Sequence, residues 1–286
     1  MKIISVDVGG TNIRVALIDS NGEFLFRRSF LTEKDNGEKV IEQIMCSIEL
    51  LIKDANGIGI VVAGGVTPEG LVWAPNISGW KGLPLEKMLK EKFHVDVIVK
   101  DDRCSMVFGE SCFGIAKEYK NVAYVIIGTG IGAGLMIDGK VYCGSRGLAG
   151  SIGWFITDGK ISQDPVHGNF ESKVAGPALE KNFGMNGQML AEKASKGDIK
   201  ALESLNKFGE EIGLGIVNLV AVIDPEIVVI GGGVSKSWKY IEKGIRHTLN
   251  KWGHPVLKDI EVVCSSLGDD AGMLGISRMV VERIGE

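Results

Sequence analysis

The amino-acid sequence predicts an α/β protein in which two similar halves face each other across a cleft. In residues 3–19, β-favouring residues run into and out of the pair Gly9-Gly10, which is typical of a strand, a tight turn and a second strand. The same order returns at residues 122–138, where the glycine run GTGIGAG separates two further strands. Because the unit repeats after about 120 residues, we expect both glycine turns to lie on one cleft.

The repeat divides the 286 residues into two lobes. We expect an N-terminal α/β lobe over residues 1–117 and a C-terminal α/β lobe over residues 118–286. The last helix, over about residues 273–286, is expected to pack back on the N-terminal lobe. The length is sufficient for one large domain or for two domains of ordinary size.

Hydrophobic spacing and turn residues predict the elements of each lobe. Besides the first strand from Ile3, the expected strands are residues 13–19, 23–32, 57–64, 95–99, 122–127, 135–138, 226–230 and 260–265. The expected helices are residues 39–56, a segment from Pro84, residues 103–115, a short helix near Glu171 in the loop-rich stretch 144–180, most of 186–222, a segment containing Trp238, and residues 273–285.

Composition excludes several classes of function. The net charge is −4, from 32 basic and 36 acidic residues without a basic block, so a nucleic-acid partner is not expected. No run approaches 18 apolar residues and the chain opens directly on a predicted strand, so we expect neither membrane span nor signal peptide. The five scattered cysteines are typical of free thiols in a reducing cytoplasm.

The first glycine turn has the chemistry of a phosphate site. Gly9, Gly10, Thr11 and Asn12 expose backbone N–H groups and small polar side chains, which bind phosphate oxygens without positive charge. Asp7, at the end of the preceding strand, is placed to hold a phosphate-bound Mg²⁺, often through water. The alternative is an ordinary hairpin with a Gly-Gly turn.

Two further stretches carry polar groups at the ends of predicted strands. The loop at residues 76–80 combines Asn76 and Gly79 with an aromatic residue, which suits a small polar ligand or a plain surface connection. Asp101 and Asp102 follow another strand, where an acid caps the next helix. Two adjacent acids exceed what capping needs, so one of them is a candidate acceptor for the proton of an attacking hydroxyl.

Later glycines extend the pattern. The run from Gly128 is followed by a strand and not by a helix, which disfavours a dinucleotide-binding site. The run Gly231-Gly232-Gly233 follows a buried strand and opens a helix, where it allows close approach of a flat ligand such as a nucleobase and ribose.

With these stretches in place, the chain resembles the ROK family of sugar kinases. That family has the two-lobed actin-like ATPase (ribonuclease H-like) fold, with the active-site cleft between the lobes. Six motifs carry the resemblance over nearly the whole length: DVGGTNIRVALID, APNISGWKGLPL, VIVKDDRCSMVFGE, VIIGTGIGAGLMIDGKVYCGSRGLAG, DPEIVVIGGGVS and LGDDAGMLG.

The resemblance implies roles by position. Asp102 falls on the catalytic base, and Asp101 falls on the sugar-binding asparagine that usually precedes it. The implied sugar-binding residues are Asn76, Gly79, Asp101, Asp102, Ser151, Trp154 and Glu171. The implied ATP-binding and phosphate-binding residues are Asp7, Gly9, Gly10, Thr11, Asn12, Thr129, Gly130, Gly231, Gly232 and Gly233. The implied activity is ATP-dependent and Mg²⁺-dependent phosphorylation of a hexose or related sugar hydroxyl.

The chain departs from the family on the sugar side. Ser151 and Trp154 stand where the family commonly has a Glu and a His. The cysteine-rich zinc motif of the family is absent, and His167 has no partner at ligand spacing, so we expect no zinc site.

Two alternatives to the kinase stay open. The family also contains sugar-responsive repressors with an added DNA-binding segment in front, for which a first strand at residue 3 leaves no room. The other alternative is a catalytically weak sugar-binding or regulatory protein. For the kinase, we expect a sugar and ATP as partners, no nucleic acid or membrane partner, and a homodimer.

Overall fold

The structure is a computed structural model that describes residues 1–159 and 168–285. Its first half contains a five-stranded sheet in the order β3-β2-β1-β4-β8 and a small sheet of β5, β6 and β7. The elements are β1 (Lys2–Val8), β2 (Asn12–Asp19), β3 (Phe24–Leu31), α1 (Gly37–Glu49), β4 (Gly57–Val62), β5 (Gly65–Val66), β6 (Val72–Trp73), β7 (Lys81–Leu83), α2 (Leu85–Phe93), β8 (Asp96–Asp101) and α3 (Asp102–Phe113).

The second half contains a five-stranded sheet in the order β11-β10-β9-β12-β13. Its elements are β9 (Val122–Ile127), β10 (Ile131–Ile137), β11 (Lys140–Val141), α4 (Glu171–Val174), α5 (Gly176–Phe183), α6 (Gly187–Ser195), α7 (Ile199–Ile223), β12 (Ile227–Gly231), α8 (Trp238–Trp252), β13 (Glu261–Cys264) and α9 (Ala271–Gly285).

The two large sheets share one topology. In each, the first strand pairs antiparallel with the second and parallel with the fourth of the unit, so β1 and β9 occupy matching central positions. The predicted repeat is therefore confirmed and extends from the glycine turns to whole sheets. Each glycine turn lies at the carboxyl end of its central strand, where ligands bind in open α/β sheets.

Apolar residues of the two halves form two large buried clusters, one around each sheet. Strand β4 is buried along its whole length, as expected for a parallel strand covered on both faces. Helix α9 packs across the first sheet, where a Cβ on Gly59 would lie 2.8 Å from the Ile276 side chain.

Helices α3 and α9 cross in backbone contact. A Cβ on Gly109 would lie 2.0 Å from the Ala271 carbonyl oxygen, and a Cβ on Gly275 would lie 1.8 Å from the Ser105 carbonyl oxygen. The close crossing fixes the direction in which α3 leaves the first sheet, and its first residue is Asp102.

Several expected boundaries differ in the structure. Helix α1 ends at Glu49 and not near residue 56, because the chain tightens into a 3₁₀ turn at Ile52–Asp54 before entering β4. The stretch expected to be loop-rich contains a second helix, α5, with Pro177 in its first turn. Residues 160–167, including His167, lie outside the described residues.

Candidate active site

A cleft of about 540 Å³ opens between the two halves. Both predicted phosphate turns and both sides of the predicted sugar site reach it. The sequence-predicted residues that line the cleft are Gly10, Thr11, Asn76, Asp102, Thr129, Gly130, Ser151, Trp154, Glu171, Gly232 and Gly233.

Asp102 is the candidate base. It begins α3, and its Oδ1 accepts a hydrogen bond of 2.9 Å from the backbone N–H of Arg103. Burial and the neighbouring charge of Asp101 raise the pKa of the Asp102 carboxyl from its ordinary value of 3.8 to about 7, although the Arg103 guanidinium opposes the rise. A carboxylate with a pKa near neutrality is suited to accept a proton at physiological pH.

Asp101 lies beside the cleft but does not face it. Only 1% of the residue is exposed, and it is the N-cap of α3. Its Oδ1 accepts 3.0 Å from the Cys104 N–H and 3.2 Å from Arg103 Nε. Oδ1 of Asp101 is thus bonded inside the protein, and the sugar contact expected of this residue stays a prediction.

The two glycine turns face the cleft through only some of the expected residues. Gly10 and Thr11 line it, whereas Gly9 and Asn12 close the turn behind them through a 3.0 Å bond from Gly9 N to the Asn12 carbonyl. In the second turn, Thr129 and Gly130 line the cleft.

Glu171, at the start of α4, joins the second turn to the sugar side. Its Oε2 accepts a 3.0 Å hydrogen bond from the Ile131 N–H, and a Cβ on Gly130 would lie 2.6 Å from that oxygen. The absence of a side chain at position 130 therefore makes room for the Glu171 carboxylate.

Asn76 is positioned by the loop that carries it. The buried Trp80 donates its indole N–H to the Gly37 carbonyl at 3.1 Å, which ties the loop to the start of α1. The Asn76 Cβ lies 3.3 Å from where a Cβ on Gly10 would be, so the loop contacts the first glycine turn. Gly79 takes a positive φ of 80° in the turn of this loop and is not part of the cleft lining.

Only two glycines of the run Gly231-Gly232-Gly233 reach the cleft. Gly232 and Gly233 line the cleft. Gly231 ends β12 instead, where an added Cβ would lie 1.8 Å from the Tyr124 hydroxyl. Its lack of a side chain thus serves the packing of the sheet, and the adenosine contact expected of the three glycines stays a prediction.

Asp7 lies behind the first turn and is paired with Arg14, which donates from Nε at 3.0 Å and also from Nη2. Burial raises the pKa of the Asp7 carboxyl above its ordinary value against the lowering effect of Arg14, and the charge of Asp269 adds to the rise. Asp269 itself lines the cleft. Mg²⁺ is a hard cation that prefers oxygen ligands, so the carboxylates of Asp7 and Asp269 are the candidate groups to hold it.

The described residues contain no group of three or more His, Cys, Asp or Glu side chains able to hold a metal unaided.

Sequence comparison decides the family, since the ROK family matches residues 3–283. The chain belongs to the ROK family. A glucokinase of Thermotoga maritima is 26% identical, with 100% of this chain and 99% of that protein covered. A xylose repressor of Bacillus spizizenii is 28% identical, with 98% of this chain and 77% of the repressor covered. The crystal structure of a ROK family glucokinase from Streptomyces griseus in complex with glucose and AMPPNP matches with a TM-score of 0.85 at 26% identity, over 99% of this chain and 100% of that one.

The fold of this ROK chain is accordingly the two-lobed actin-like ATPase fold, and the resemblance drawn from the six motifs is confirmed. In the described part of the chain, no helix combines the length and the apolar character needed to cross a membrane.

Three charged residues of the cleft escaped the sequence analysis: Lys34, Arg103 and Asp269. Asp269 lies within the motif LGDDAGMLG, and that motif was a sequence signal that could have identified it. Arg103 directly follows Asp102, and a cation in the first turn of a helix opposes the helix dipole. That conflict was a signal that Arg103 is bound by other groups, but the sequence could not show which.

Proposed function

We propose that this ROK chain transfers the γ-phosphoryl group of ATP to a hydroxyl of a hexose or a related sugar. One observation carries the proposal: the Asp102 carboxyl, with a pKa of about 7, lies in a cleft between two glycine turns. A base of that strength has no evident structural use, since Asp101 already caps the helix.

In the proposed reaction, Asp102 accepts the proton of the attacking hydroxyl as its oxygen bonds to the γ-phosphorus and the bond to ADP breaks. The backbone of Gly10 and Thr11 binds phosphate oxygens from one side and that of Thr129 and Gly130 from the other. Asp7 or Asp269, together with the phosphates, would hold a Mg²⁺ ion, which would neutralise phosphate charge. Positioning supplies most of the remaining rate enhancement.

The relatives support both substrates. The glucokinase of Streptomyces griseus binds glucose and AMPPNP, an ATP analogue, and its structure covers nearly all of this chain. The glucokinase of Thermotoga maritima matches over the same length. The sugar used by this chain is a separate question, because Asp101 and Ser151 are engaged inside the protein.

A coupled assay for ADP release across a panel of aldoses, ketoses and N-acetylated hexosamines tests the proposal. We expect sugar-dependent ADP release for at least one sugar and its loss in Asp102→Asn. Sugar-independent ATP hydrolysis, or equal turnover in the variant, would contradict the assignment.

A second candidate is a sugar-binding or regulatory ROK protein with weak catalysis, favoured by the match to a xylose repressor over 98% of the chain. Calorimetric binding of a sugar without ADP release in the presence of ATP and Mg²⁺ would support it. The homodimer stays a prediction, and light scattering of the purified protein measures it.

A further inference from the structure

Arg103 is the most heavily bonded side chain of the cleft. It is 8% exposed, and all five of its guanidinium N–H groups have an acceptor. The acceptors are Asp101 Oδ1 at 3.2 Å, the Ala149 carbonyl at 3.3 Å, Ser151 Oγ at 3.1 Å, the Gly64 carbonyl at 3.5 Å and the Gly147 carbonyl at 3.3 Å.

These acceptors lie in both halves of the protein. Asp101 ends β8 and Gly64 follows β4 in the first half, whereas residues 147–151 follow β11 in the second half. The segment 147–151 also contacts the first half directly, since a Cβ on Gly147 would lie 1.9 Å from the Val66 carbonyl oxygen. The guanidinium therefore fastens this segment to the first half, next to Asp102.

The second glycine run is shaped around the same residue. A Cβ on Gly132 would lie 2.7 Å from Arg103 Cδ, and a Cβ on Gly134 would lie 2.0 Å from the Arg103 carbonyl oxygen. Two glycines of the run GTGIGAG thus make room for Arg103, while other residues of the run line the cleft.

We propose that Arg103 is a positioning residue for the sugar side of the site, an inference that rests on the proposed kinase function. It holds residues 147–151 in place and occupies the polar groups of Asp101 and Ser151. A sugar in the cleft therefore finds its hydrogen-bond partners at Asn76, Asp102 and Glu171.

The test separates the effect of the Arg103 charge from the effect of the planar guanidinium, which presents five donors in a fixed geometry. Arg103→Lys keeps the charge but has only three donors and lacks the planar guanidinium. Arg103→Met removes both, and the double variant Asp101→Asn/Arg103→Met removes the buried pair together, which avoids an uncompensated buried charge. Arg246→Lys is the matched control, because Arg246 also bonds two backbone carbonyls, those of Ile260 and Val262, away from the cleft.

Hydrogen exchange without substrates is the first readout. We expect the amides of residues 147–154 to exchange at least about tenfold faster in Arg103→Lys and Arg103→Met, with no such change in Arg246→Lys. Unchanged exchange in that segment, or a rise spread evenly over the protein, would overturn the proposal. This readout holds even if no sugar of the panel is phosphorylated, so it is independent of the proposed function.

Kinetics supply the second readout. Arg103→Lys should raise the KM for the sugar about tenfold or more with a smaller change in kcat, while the acid limb of the pH profile stays near pH 7. Arg103→Met should move that limb to higher pH, because the guanidinium lowers the pKa of Asp102. Sugar KM values equal to that of the unmodified chain in both variants would also overturn the proposal.

A separate contact carries a second inference. The Sγ atoms of Cys104 and Cys143 lie 2.7 Å apart, although no spacing pattern in the sequence pairs them. Cys104 is in the first turn of α3 and 3% exposed, whereas Cys143 is partly exposed in the segment after β11. A bond between them would link α3 to the segment that leads to residues 147–151.

We infer that peroxide joins Cys104 and Cys143 in a reversible disulfide. The Cys143 thiolate attacks hydrogen peroxide, which gives a sulfenic acid and hydroxide; the Cys104 thiol then attacks the sulfenic sulfur and water leaves. The hydrogen bond with Cys104 lowers the pKa of the Cys143 thiol, which favours the thiolate needed for the first step.

Peptide mass spectrometry after peroxide treatment of the full chain tests the inference. We expect a Cys104–Cys143 linked peptide that dithiothreitol removes, that is absent in Cys143→Ser, and that persists in the control Cys264→Ser. If sugar phosphorylation is established, it should fall on oxidation and recover on reduction. Oxidation of other cysteines without the linked peptide would overturn the inference.

Discussion

Replacing Asp102 by Asn should make the protein more stable and nearly inactive at the same time. The carboxylate is the base of the proposed reaction, so its loss should lower kcat by about 10²–10⁴. Asn has nearly the same shape, and its side-chain oxygen can accept the same hydrogen bond from the Arg103 N–H. The structural change is therefore confined to the loss of a charge.

The stability gain follows from the raised pKa. The pKa of Asp102 is 3.8 ordinarily and about 7 in the folded protein, so the folded state binds the proton more tightly than the unfolded state. Stability from this group is then complete below pH 3.8 and falls as the pH rises to 7. A rise of this size corresponds to about 4 kcal/mol at pH 8. Because Asp102 faces the cleft and keeps part of its contact with water, we expect about half of that, about 2 kcal/mol.

Urea unfolding at pH 8 and at pH 4, beside kcat at pH 8, measures both effects. We expect Asp102→Asn to be more stable than the unmodified chain at pH 8 and nearly equal to it at pH 4. The exposed Asp35, replaced by Asn, is the control and should change neither quantity. A variant that is less stable at pH 8, or that keeps its turnover, would refute the account of Asp102 as a base destabilised by burial.

Other predictions concern the pH profile, the phosphate turn, the buried ion pair and the choice of sugar. The kcat/KM of the unmodified chain should fall about tenfold from its plateau on going to pH 6, since Asp102 must be ionised and its pKa is about 7; a flat profile down to pH 5 would contradict this. Gly128→Ala adds a Cβ to open space in the cleft lining, so the KM for ATP should rise several-fold with unchanged unfolding, whereas Gly285→Ala, also open but at the end of α9, should change neither. Asp101→Asn should destabilise the fold by about 3 kcal/mol, because it leaves Arg103 buried without its counter-charge, and urea unfolding measures the loss. Across the sugar panel, glucose should not give the highest kcat/KM, and a tenfold lead for glucose would show that the altered sugar side leaves selectivity unchanged.

The sequence supplied the parts of the fold and site that depend on local pattern. The glycine turns, the strands that flank them and the position of Asp102 at a strand-to-helix junction all follow from short-range rules of backbone freedom and helix capping. The topology also followed, because a repeated unit dictates a repeated sheet. Helix α1 ended early because tertiary context, and not periodicity, fixes where the chain turns back into β4.

What the sequence could not supply is contact between distant segments. The acceptors of Arg103 come from positions 64, 101, 147, 149 and 151, and no spacing rule joins them. The same holds for Cys104 and Cys143, which lie 39 positions apart in the chain. Gly231 shows the reverse case, because the sequence predicts a ligand role for it and could not show that its lack of a side chain also makes room for the Tyr124 hydroxyl.

Arg103 connects two positions at which this chain departs from the family pattern, because its guanidinium donates to both Asp101 and Ser151. A guanidinium buried beside the base needs a carboxylate partner, which explains an acid at position 101 where an amide is usual. It also needs a short acceptor across the cleft, and Ser151 accepts from Arg103 while donating to the Leu148 carbonyl at 2.7 Å. A longer acid at position 151 would compete with Asp101 for the Arg103 guanidinium. Replacing Asp101 or Ser151 alone leaves Arg103 with an unpaired donor, so we predict that a change of sugar selectivity at this site requires positions 101, 103 and 151 to be exchanged together.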